Sequence, residues 1–336
     1  PLDGVTVVHD MIRGEVEFEN DKLQDMVLLK SDGFPTYHLA HVVDDHLMKI
    51  THVTRANEWL PSLPLHVQIW RAFGWDMPEF AHLPVLLNPN GKGKLSKRSQ
   101  SFDQNGQKVL VLAKEFKDAG YLPEAVVNFL TNIGWNFGEE REMFTIVEAI
   151  ERFELSDVNP ANSAYPTEKL DWLNGLYMRE LSIEDLSARL RGPLEAAGYV
   201  VDEERLLQLT PIVQTRIKTL NDVVELAGFI FDDYASFEAP SAEMLIPKKM
   251  DAESTREMLQ AAVAMVEGLD DFSHENQHEH AKALAQSLGV KNGQLFGAMR
   301  VAVTGQPISP PTFETMEILG KSESLRRLNM AINRLS

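Results

Sequence analysis

The sequence predicts half of an open, mostly parallel α/β sheet, followed by a large all-helical region. Two observations support this division of its 336 residues. In residues 1–100, short runs rich in β-branched residues alternate with segments of helical hydrophobic spacing. After Ser101 the periodic segments are almost all helical, and several of them are followed by glycine, which commonly ends helices.

Strands and helices alternate along the first hundred residues. Strands are predicted at residues 5–8, 15–18, 26–29, 50–54 and 80–87. Helices are predicted at residues 35–48 and 61–73, the second opened by prolines and closed by Gly74. This alternation is typical of a parallel sheet built from strand–helix–strand units.

The second region contains a long series of predicted helices. They cover residues 109–119, 123–133, 145–153, 167–178, 183–197, 203–225, 252–267, 275–288, 291–303, 312–319 and 322–334. Ser182 and Asp185 resemble a capping box at the start of one of them. Residues 236–247 include two prolines and are the most linker-like segment.

Composition excludes several classes of protein. The chain has no cysteine, which excludes disulfides and thiolate metal sites, and no apolar run long enough to span a membrane. A net charge of −18 argues against binding nucleic acid over the whole surface. Basic residues are concentrated in residues 92–108, which favours one local site for a polyanion. The start at Pro1, directly before a predicted strand, indicates a fragment.

A basic loop carries the first candidate chemistry. Residues 88–98, which read NPNGKGKLSKR, follow the last predicted strand. The glycines allow backbone N–H groups to approach an anion, and the cations can offset charge on phosphate oxygens during phosphoryl or nucleotidyl transfer. Taken alone, the pattern is explained equally well by a solvated basic hairpin.

Ordered motifs around this loop resemble one enzyme family. Residues 94–98 (KLSKR) are similar to the Lys-Met-Ser-Lys-Ser signature of class I aminoacyl-tRNA synthetases. Further similar segments are residues 31–40 (SDGFPTYHLA), 42–48 (VVDDHLM), 58–60 (EWL), 73–75 (FGW), 81–87 (AHLPVLL), 172–175 (WLNG) and 295–305, together with Arg55. Over nearly its whole length the sequence therefore resembles glutamyl-tRNA synthetase.

The resemblance implies a partial Rossmann-like catalytic portion followed by a large all-α tRNA-binding region. Residues 1–31 would end a connective, acceptor-binding insertion, and residues 32–100 would form the second half of the catalytic domain. Residues 101–180 would be a helical stem-contact domain, and residues 181–336 an all-helical anticodon-binding domain.

The resemblance also implies roles for individual residues. Lys94 and Lys97 would be catalytic, because their ammonium groups would stabilise the ATP phosphates. The full ATP-binding set would be Lys94, Ser96, Lys97, Arg98, Glu58, Val85 and Leu86, the last two through backbone groups facing adenine. Arg216, Arg300, Ser309 and Thr312 would contact tRNA.

Glutamate would be bound by Arg55, Tyr37 and His41. A guanidinium pairs bidentately with a carboxylate but not with a neutral amide, so Arg55 would reject glutamine. His41 departs from the family pattern, which often has asparagine at this position, and this places its substrate contact in question.

The implied activity is that of a glutamate–tRNA ligase. ATP with Mg²⁺, L-glutamate and tRNA(Glu) would be its substrates, with no protein-bound zinc and no membrane partner, and the protein would act as a cytoplasmic monomer. However, the sequence has no His-x-Gly-His signature. We therefore expect that the N-terminal part of the catalytic domain is missing and that this chain alone does not form glutamyl-adenylate.

Other interpretations remain open on sequence alone. The chain could be a non-catalytic tRNA-binding module derived from the synthetase, a glutaminyl-type relative with a C-terminal β-barrel, or a helical scaffold. His274, His278 and His280 could suggest a metal site, but a solvated helix start explains them more simply.

Overall fold

The computed structural model describes residues 3–97, 101–103, 105–106, 108–232 and 236–335. It contains two compact units. Unit 1 comprises Pro1–Glu115 and Pro123–Leu170, and unit 2 comprises Phe116–Leu122 and Asp171–Ser336. Within the described ranges, every helix is too short or too polar to cross a lipid bilayer.

A four-stranded sheet forms the centre of unit 1. Its strands are β1 (Val5–Asp10), β2 (Gly14–Glu19), β3 (His52–Ala56) and β4 (Glu79–Leu83), in the order β2-β1-β4-β3. β1 and β2 form an antiparallel hairpin, whereas β4 is parallel to both β1 and β3. The predicted parallel sheet is thus confirmed. A short second sheet pairs β5 (Leu86–Leu87) with β6 (Ser163–Ala164).

Helix α2 (Leu63–Phe73) packs on this sheet, and helix α1 (Tyr37–Leu47) packs on α2. Helix α2 follows a 3-10 turn over Asn57–Ser62. Leu63 and Val67 on α2 pack against the strands, and Ile69 and Trp70 pack against α1. Gly74 ends α2 in the left-handed region at φ +67°, as the sequence predicts. The remaining helices lying within unit 1 are α4 (Pro123–Thr131) and α5 (Ile146–Arg152), while α3 (Ala113–Asp118) crosses the border between the units.

All the regular secondary structure of the described residues of unit 2 is helical. Its helices are α6 (Thr167–Glu180, beginning in unit 1), α7 (Ile183–Ala196), α8 (Glu203–Val213), α9 (Asp222–Ala227), α10 (Ala242–Leu245), α11 (Ala252–Glu267), α12 (His274–Ser287), α13 (Asn292–Thr304), α14 (Thr312–Leu319) and α15 (Lys321–Arg334). The predicted all-α region is confirmed, and a C-terminal β-barrel is excluded for the described residues.

The buried side chain of Arg327 contacts several segments of unit 2. Its guanidinium donates to the carbonyls of Val303 at 2.9 Å and Phe229 at 3.0 Å, and to Glu323 Oε1 at 2.7 Å. The ring of Phe237 lies 4.0 Å from the guanidinium carbon. Because all of these partners satisfy a charge that is removed from water, the cost of burying it is offset.

Three predicted elements differ from the structure. The strand predicted at residues 26–29 is absent, and only Leu29 forms an isolated bridge, with Pro35. The predicted strand 80–87 is split between two sheets, because Pro84 has no N–H to donate to a ladder. The predicted helix 203–225 is broken after Val213, where the Asp222 carboxylate accepts two backbone N–H groups of the intervening turn.

The borders of the two compact units differ from the borders of the predicted domains. β1 and β2 lie in the same sheet as β3 and β4, so residues 3–31 are not separated from residues 32–97. Residues 123–170 also belong to unit 1. The assignment of these segments to acceptor-end and stem contacts remains a prediction.

Candidate functional site

The candidate site lies where three parallel strands of unit 1 end. Asp10 is the last residue of β1, Arg55 is the penultimate residue of β3, and His82 stands opposite Arg55 on β4. Because the strands are parallel, their carboxyl ends meet at one edge of the sheet, which is the usual ligand-binding edge of such folds. The register therefore brings these three side chains together.

A chain of hydrogen bonds joins the three residues. The His82 side-chain Nδ1 lies 2.6 Å from Asp10 Oδ2, and both side chains are completely buried. On the other side of the imidazole ring, Arg55 Nε donates to His82 Nε2 at 3.0 Å. Asp10 Oδ1 also accepts from the backbone N–H groups of Ile12 and Arg13, each at 3.1 Å.

Two helices bring further histidines to the same guanidinium. Arg55 Nη1 lies 3.1 Å from His66 Nδ1 on α2 and 3.5 Å from His41 Nε2 on α1. His66 Nε2 in turn lies 2.9 Å from His38 Nδ1. His41 Nδ1 lies 2.9 Å from a carboxylate oxygen of Asp45, which is one helical turn further along α1.

The electrostatics of this cluster follow from its burial. Burial lowers the pKa of Arg55, and the Tyr37 hydroxyl opposes that shift. Burial, reinforced by the positive charge of Arg55, lowers the pKa of His66 to about 3. Burial also lowers the pKa of His41 and raises that of Asp45. At neutral pH, His66 and His41 are therefore uncharged, and Arg55 remains the local cation.

Burial alone would raise the pKa of Asp10. The hydrogen bond from the His82 side chain and those from three backbone N–H groups outweigh this effect, and the pKa of Asp10 is lowered. Asp10 is therefore ionised and acts only as an acceptor.

One donor of Arg55 is not used by the protein. Nη2 is buried, yet it has no hydrogen-bond partner among the described residues. Tyr37, which is 49 % exposed, stacks on His41 with 5.6 Å between ring centroids and also contacts Trp59. A half-buried cation with a spare donor, bordered by an accessible hydroxyl group, can bind a carboxylate.

The basic loop is a compact hairpin. Asn88 N donates to the Gly93 carbonyl at 3.0 Å, and Leu95 N donates to the Leu86 carbonyl at 2.8 Å. Gly91 and Gly93 have φ values of +72° and +71°, a conformation that other residues rarely adopt. The Asn88 side chain stabilises the turn because it donates to the Lys92 carbonyl at 2.9 Å.

The predicted ATP-binding residues lie on and beside this hairpin. Lys94 Nζ forms an ion pair with Glu58, and both side chains are about half exposed. Lys97 is exposed and Ser96 is half-buried. The Val85 N–H donates to Asn162 Oδ1 at 3.0 Å, and the Leu86 carbonyl accepts from Leu95. Arg98 lies outside the described residues.

Sequence reasoning did not single out Asp10, His66 or His82. Each is fully buried and polar, which is unusual without a specific partner. His82 lies on a predicted strand, Asp10 lies two residues beyond the strand predicted at residues 5–8, and His66 lies on the apolar face of a predicted helix. A polar residue in an apolar segment indicates that the side chain has a specific partner, but it does not indicate which residue that partner is.

The residues predicted to contact tRNA occupy two places in unit 2. Exposed Arg216 lines a cavity of about 450 Å³ together with Lys218 and the segment 306–308. Arg300 Nε donates to the Thr312 hydroxyl at 3.1 Å. Thr312 and Ser309 are only 4 % and 6 % exposed. Whether any of them contacts RNA remains a prediction.

The described residues contain no group of three or more His, Cys, Asp or Glu side chains arranged to hold a metal ion. In particular, His274 of the histidine-rich helix start lies 2.7 Å from Glu317, which raises its pKa against the lowering effect of partial burial. His280 contacts the carbonyl of Asn276 on its own helix.

Comparison with known proteins gives a consistent result. Residues 1–172 match the model of the class I tRNA synthetase catalytic domain (E and Q), and residues 182–332 match an anticodon binding domain. A glutamate–tRNA ligase of Dehalococcoides mccartyi is 46 % identical over 341 residues, which cover 100 % of this chain and 67 % of that protein. A glutamate–tRNA ligase of Roseiflexus sp. is 45 % identical, with coverage of 98 % and 65 %.

A solved structure agrees with these relatives. The crystal structure of a glutamate tRNA ligase from Elizabethkingia meningosepticum, in complex with its amino acid, has a TM-score of 0.84 and 33 % sequence identity. The match covers 100 % of this chain and 67 % of that one. The present chain thus spans about two thirds of the length of these similar proteins.

Proposed function

Because the chain belongs to the glutamate–tRNA ligase family of class I tRNA synthetases, we propose that it binds L-glutamate and ATP in unit 1 and tRNA(Glu) in unit 2. Its role is part of the ATP-dependent attachment of glutamate to that tRNA, the reaction of the longer ligases of which the chain spans about two thirds. The observation that carries the proposal is the spare, buried Nη2 donor of Arg55, a half-buried cation in contact with histidine side chains.

Arg55 selects glutamate through its γ-carboxylate. The carboxylate accepts from Nη2 and neutralises the guanidinium, while Tyr37 and His41 border the same site. Glutamine offers only a neutral carbonyl, and its NH₂ group cannot accept, so the buried charge stays uncompensated. Discrimination therefore comes from the cost of leaving Arg55 without a counter-charge.

The basic hairpin binds the triphosphate of ATP. Gly91 and Gly93 allow a close approach of the backbone, and Lys94 and Lys97 supply compact positive charges. Any Mg²⁺ that accompanies ATP is held mainly by phosphate oxygens, the common arrangement for this ion. Glu58, which forms an ion pair with Lys94, would face the ribose.

The reaction needs positioning and charge stabilisation more than covalent help from the protein. An oxygen of the glutamate α-carboxylate attacks the α-phosphorus of ATP, the bond to the β-phosphate oxygen breaks, and pyrophosphate leaves. The terminal ribose hydroxyl of tRNA then attacks the activated carbonyl carbon, and AMP leaves. Lys94 and Lys97 offset the negative charge that moves onto pyrophosphate.

Unit 2 supplies the tRNA contacts. Arg216 and Lys218 line one cavity, and Arg300 lies on α13 with one donor held by Thr312. Arginine can stack on unpaired bases or bond to their edges, which is the usual way in which RNA loops are recognised. Since the Arg55 cluster and the basic hairpin are each built from one chain, we propose that a monomer acts, in the cytoplasm where tRNA is charged.

Titration of the chain with L-glutamate, followed by NMR, tests the proposal. L-glutamate should bind, L-glutamine should bind at least ~10-fold more weakly, and Arg55→Gln should abolish the difference, because a hydrogen bond to a charged group is worth about 1.5–3 kcal/mol. Equal affinity of wild type and Arg55→Gln for glutamate would contradict the proposal.

A second candidate is a non-catalytic module that binds tRNA only. The observation that favours it is the lack of a His-x-Gly-His sequence anywhere in the chain. Glutamate titration distinguishes the two: tRNA binding together with glutamate binding supports the ligase, whereas tRNA binding without glutamate binding supports the module. ATP–pyrophosphate exchange with glutamate and tRNA should be absent for this chain alone, and exchange would contradict that expectation.

A further inference from the structure

The hydrogen bonds around Arg55 fix the protons of its neighbours. An arginine side chain donates and never accepts, so each imidazole nitrogen that faces Arg55 must carry a lone pair. His82 Nε2 lies 3.0 Å from Arg55 Nε, and His66 Nδ1 lies 3.1 Å from Arg55 Nη1. Neither histidine can therefore be protonated on both nitrogens. His82 carries its proton on Nδ1, and His66 carries its proton on Nε2.

Asp10 is the group that keeps His82 in this tautomer. Its Oδ2 lies 2.6 Å from His82 Nδ1 and accepts that proton's hydrogen bond. The backbone N–H of His82 also donates to Asp10, at 3.1 Å. The backbone N–H groups of Ile12 and Arg13 also donate to this carboxylate. It therefore accepts four hydrogen bonds and stays ionised. The carboxylate thus acts on Arg55 through the imidazole.

The imidazole between Asp10 and Arg55 has a chemical consequence. A carboxylate in direct contact would neutralise the guanidinium and occupy two of its donors. A neutral imidazole accepts only one hydrogen bond, so it fixes the plane of the guanidinium and leaves its charge for a ligand. Nη2 remains without a partner in the described part of the chain.

We infer that Asp10 is a positioning residue that acts through His82 to orient Arg55 for the substrate carboxylate. This inference rests on the proposed function of Arg55. The second acidic residue of the cluster, Asp45, is less suited to this role. Its histidine, His41, lies 3.5 Å from Arg55 Nη1, at the outer limit of a hydrogen bond, against 3.0 Å for His82.

Histidine ¹⁵N spectroscopy of the deuterated full chain provides the first test. Between pH 6 and 8, His82 should show a protonated Nδ1 and an unprotonated Nε2, with a coupling across the hydrogen bond to Arg55 Nε. Asp10→Asn places an NH₂ group against existing donors, so the folded variant should lose this signature. Glu17→Gln, which makes the same change at an exposed position of the neighbouring strand β2, should retain it. A proton on His82 Nε2 in the wild type, or an unchanged signature in folded Asp10→Asn, overturns the inference.

A pair of substitutions at His82 provides a test that does not depend on Asp10→Asn folding. His82→Gln keeps a donor for Asp10 and an acceptor for Arg55, whereas His82→Leu removes both. Glutamate affinity should stay within about 3-fold of wild type for His82→Gln and fall at least ~10-fold for His82→Leu, the loss expected for a hydrogen bond to a charged group. ATP affinity should be the same in both. Equal glutamate affinities of the two variants would overturn the inference.

Failure of the proposed function and failure of the positioning role give different experimental results. If glutamate does not bind wild type, or if Arg55→Gln does not weaken it, the proposed function is contradicted. The positioning role is then still decided by the His82 tautomer and by the coupling to Arg55 Nε, which are measured without substrate.

Discussion

Buried His66 should make the stability of unit 1 depend on pH in a defined direction. Its pKa is about 3 in the folded chain, against 6.5 when it is exposed. The unfolded chain therefore binds the proton more readily, so the contribution is fully present above pH 6.5 and is lost as the pH falls towards 3. The maximum loss is about 5 kcal/mol, and the loss at pH 5.5 is about 1.4 kcal/mol.

The assay is urea denaturation at pH 7.5 and pH 5.5, followed by tryptophan emission. Four of the five tryptophans lie in unit 1, which makes the emission a probe of that unit. Other histidines also titrate, so the informative quantity is the difference between wild type and His66→Gln. The glutamine can still accept from Arg55 Nη1, but it cannot bind a proton in this range.

We expect the free energy of unfolding of His66→Gln to fall by about 1.4 kcal/mol less than that of wild type between the two pH values. His52→Gln, at an exposed position on β3, serves as the matched control and should behave as wild type. If wild type and His66→Gln lose the same stability within about 0.5 kcal/mol, an error typical of such comparisons, the link between burial beside Arg55 and the pKa of His66 is refuted.

Three further substitutions test the hairpin, the RNA surface and a helix cap. Gly93→Ala places a side chain on a residue with φ +71°, a strained conformation, and its Cβ lies 3.5 Å from Asn88 Nδ2. ATP affinity, measured by calorimetry, should therefore fall about 10-fold. The control is Gly192→Ala in α7, where the space around Cβ is open, and this substitution should not alter ATP affinity. Arg216→Ala should reduce the slope of log affinity for tRNA against log salt by about 0.7, and an unchanged slope would exclude a phosphate contact there. Thr145→Ala removes the capping box of α5 and should cost about 1 kcal/mol in urea denaturation, whereas Thr131→Ala should be nearly neutral.

Much of the fold could be predicted because its helices have strong hydrophobic periodicity and clear ends. The helix predicted at residues 312–319 has the bounds of α14, and Gly320 follows it in the left-handed region. The predicted helix and strand bounds were wrong where a single local interaction decides where the element ends. The carboxylate of Asp222 accepts backbone N–H groups and starts a new helix within a continuous apolar pattern, and Pro84 interrupts an apolar run that reads as a single strand.

The candidate site was only partly predictable for a different reason. Motif resemblance identified Arg55, Tyr37 and the basic hairpin, because these residues occur within recognisable segments. The residues that hold Arg55 contact it across the fold: Asp10 and His82 are 72 positions apart. No local pattern encodes that pairing, since it depends on β1 and β3 both lying beside β4. To predict the contact, one must already know where β1 and β4 end and in which register the strands of the sheet pair.

If the basic hairpin binds ATP as proposed, Lys94 must exchange its ion pair with Glu58 for a contact with phosphate oxygens. Both side chains are about half exposed, and such pairs contribute at most about 1 kcal/mol in water. Exchanging the Glu58 carboxylate for phosphate oxygens would therefore cost Lys94 little free energy. The pair would therefore hold the Lys94 side chain beside the proposed phosphate site, and its release would cost little free energy.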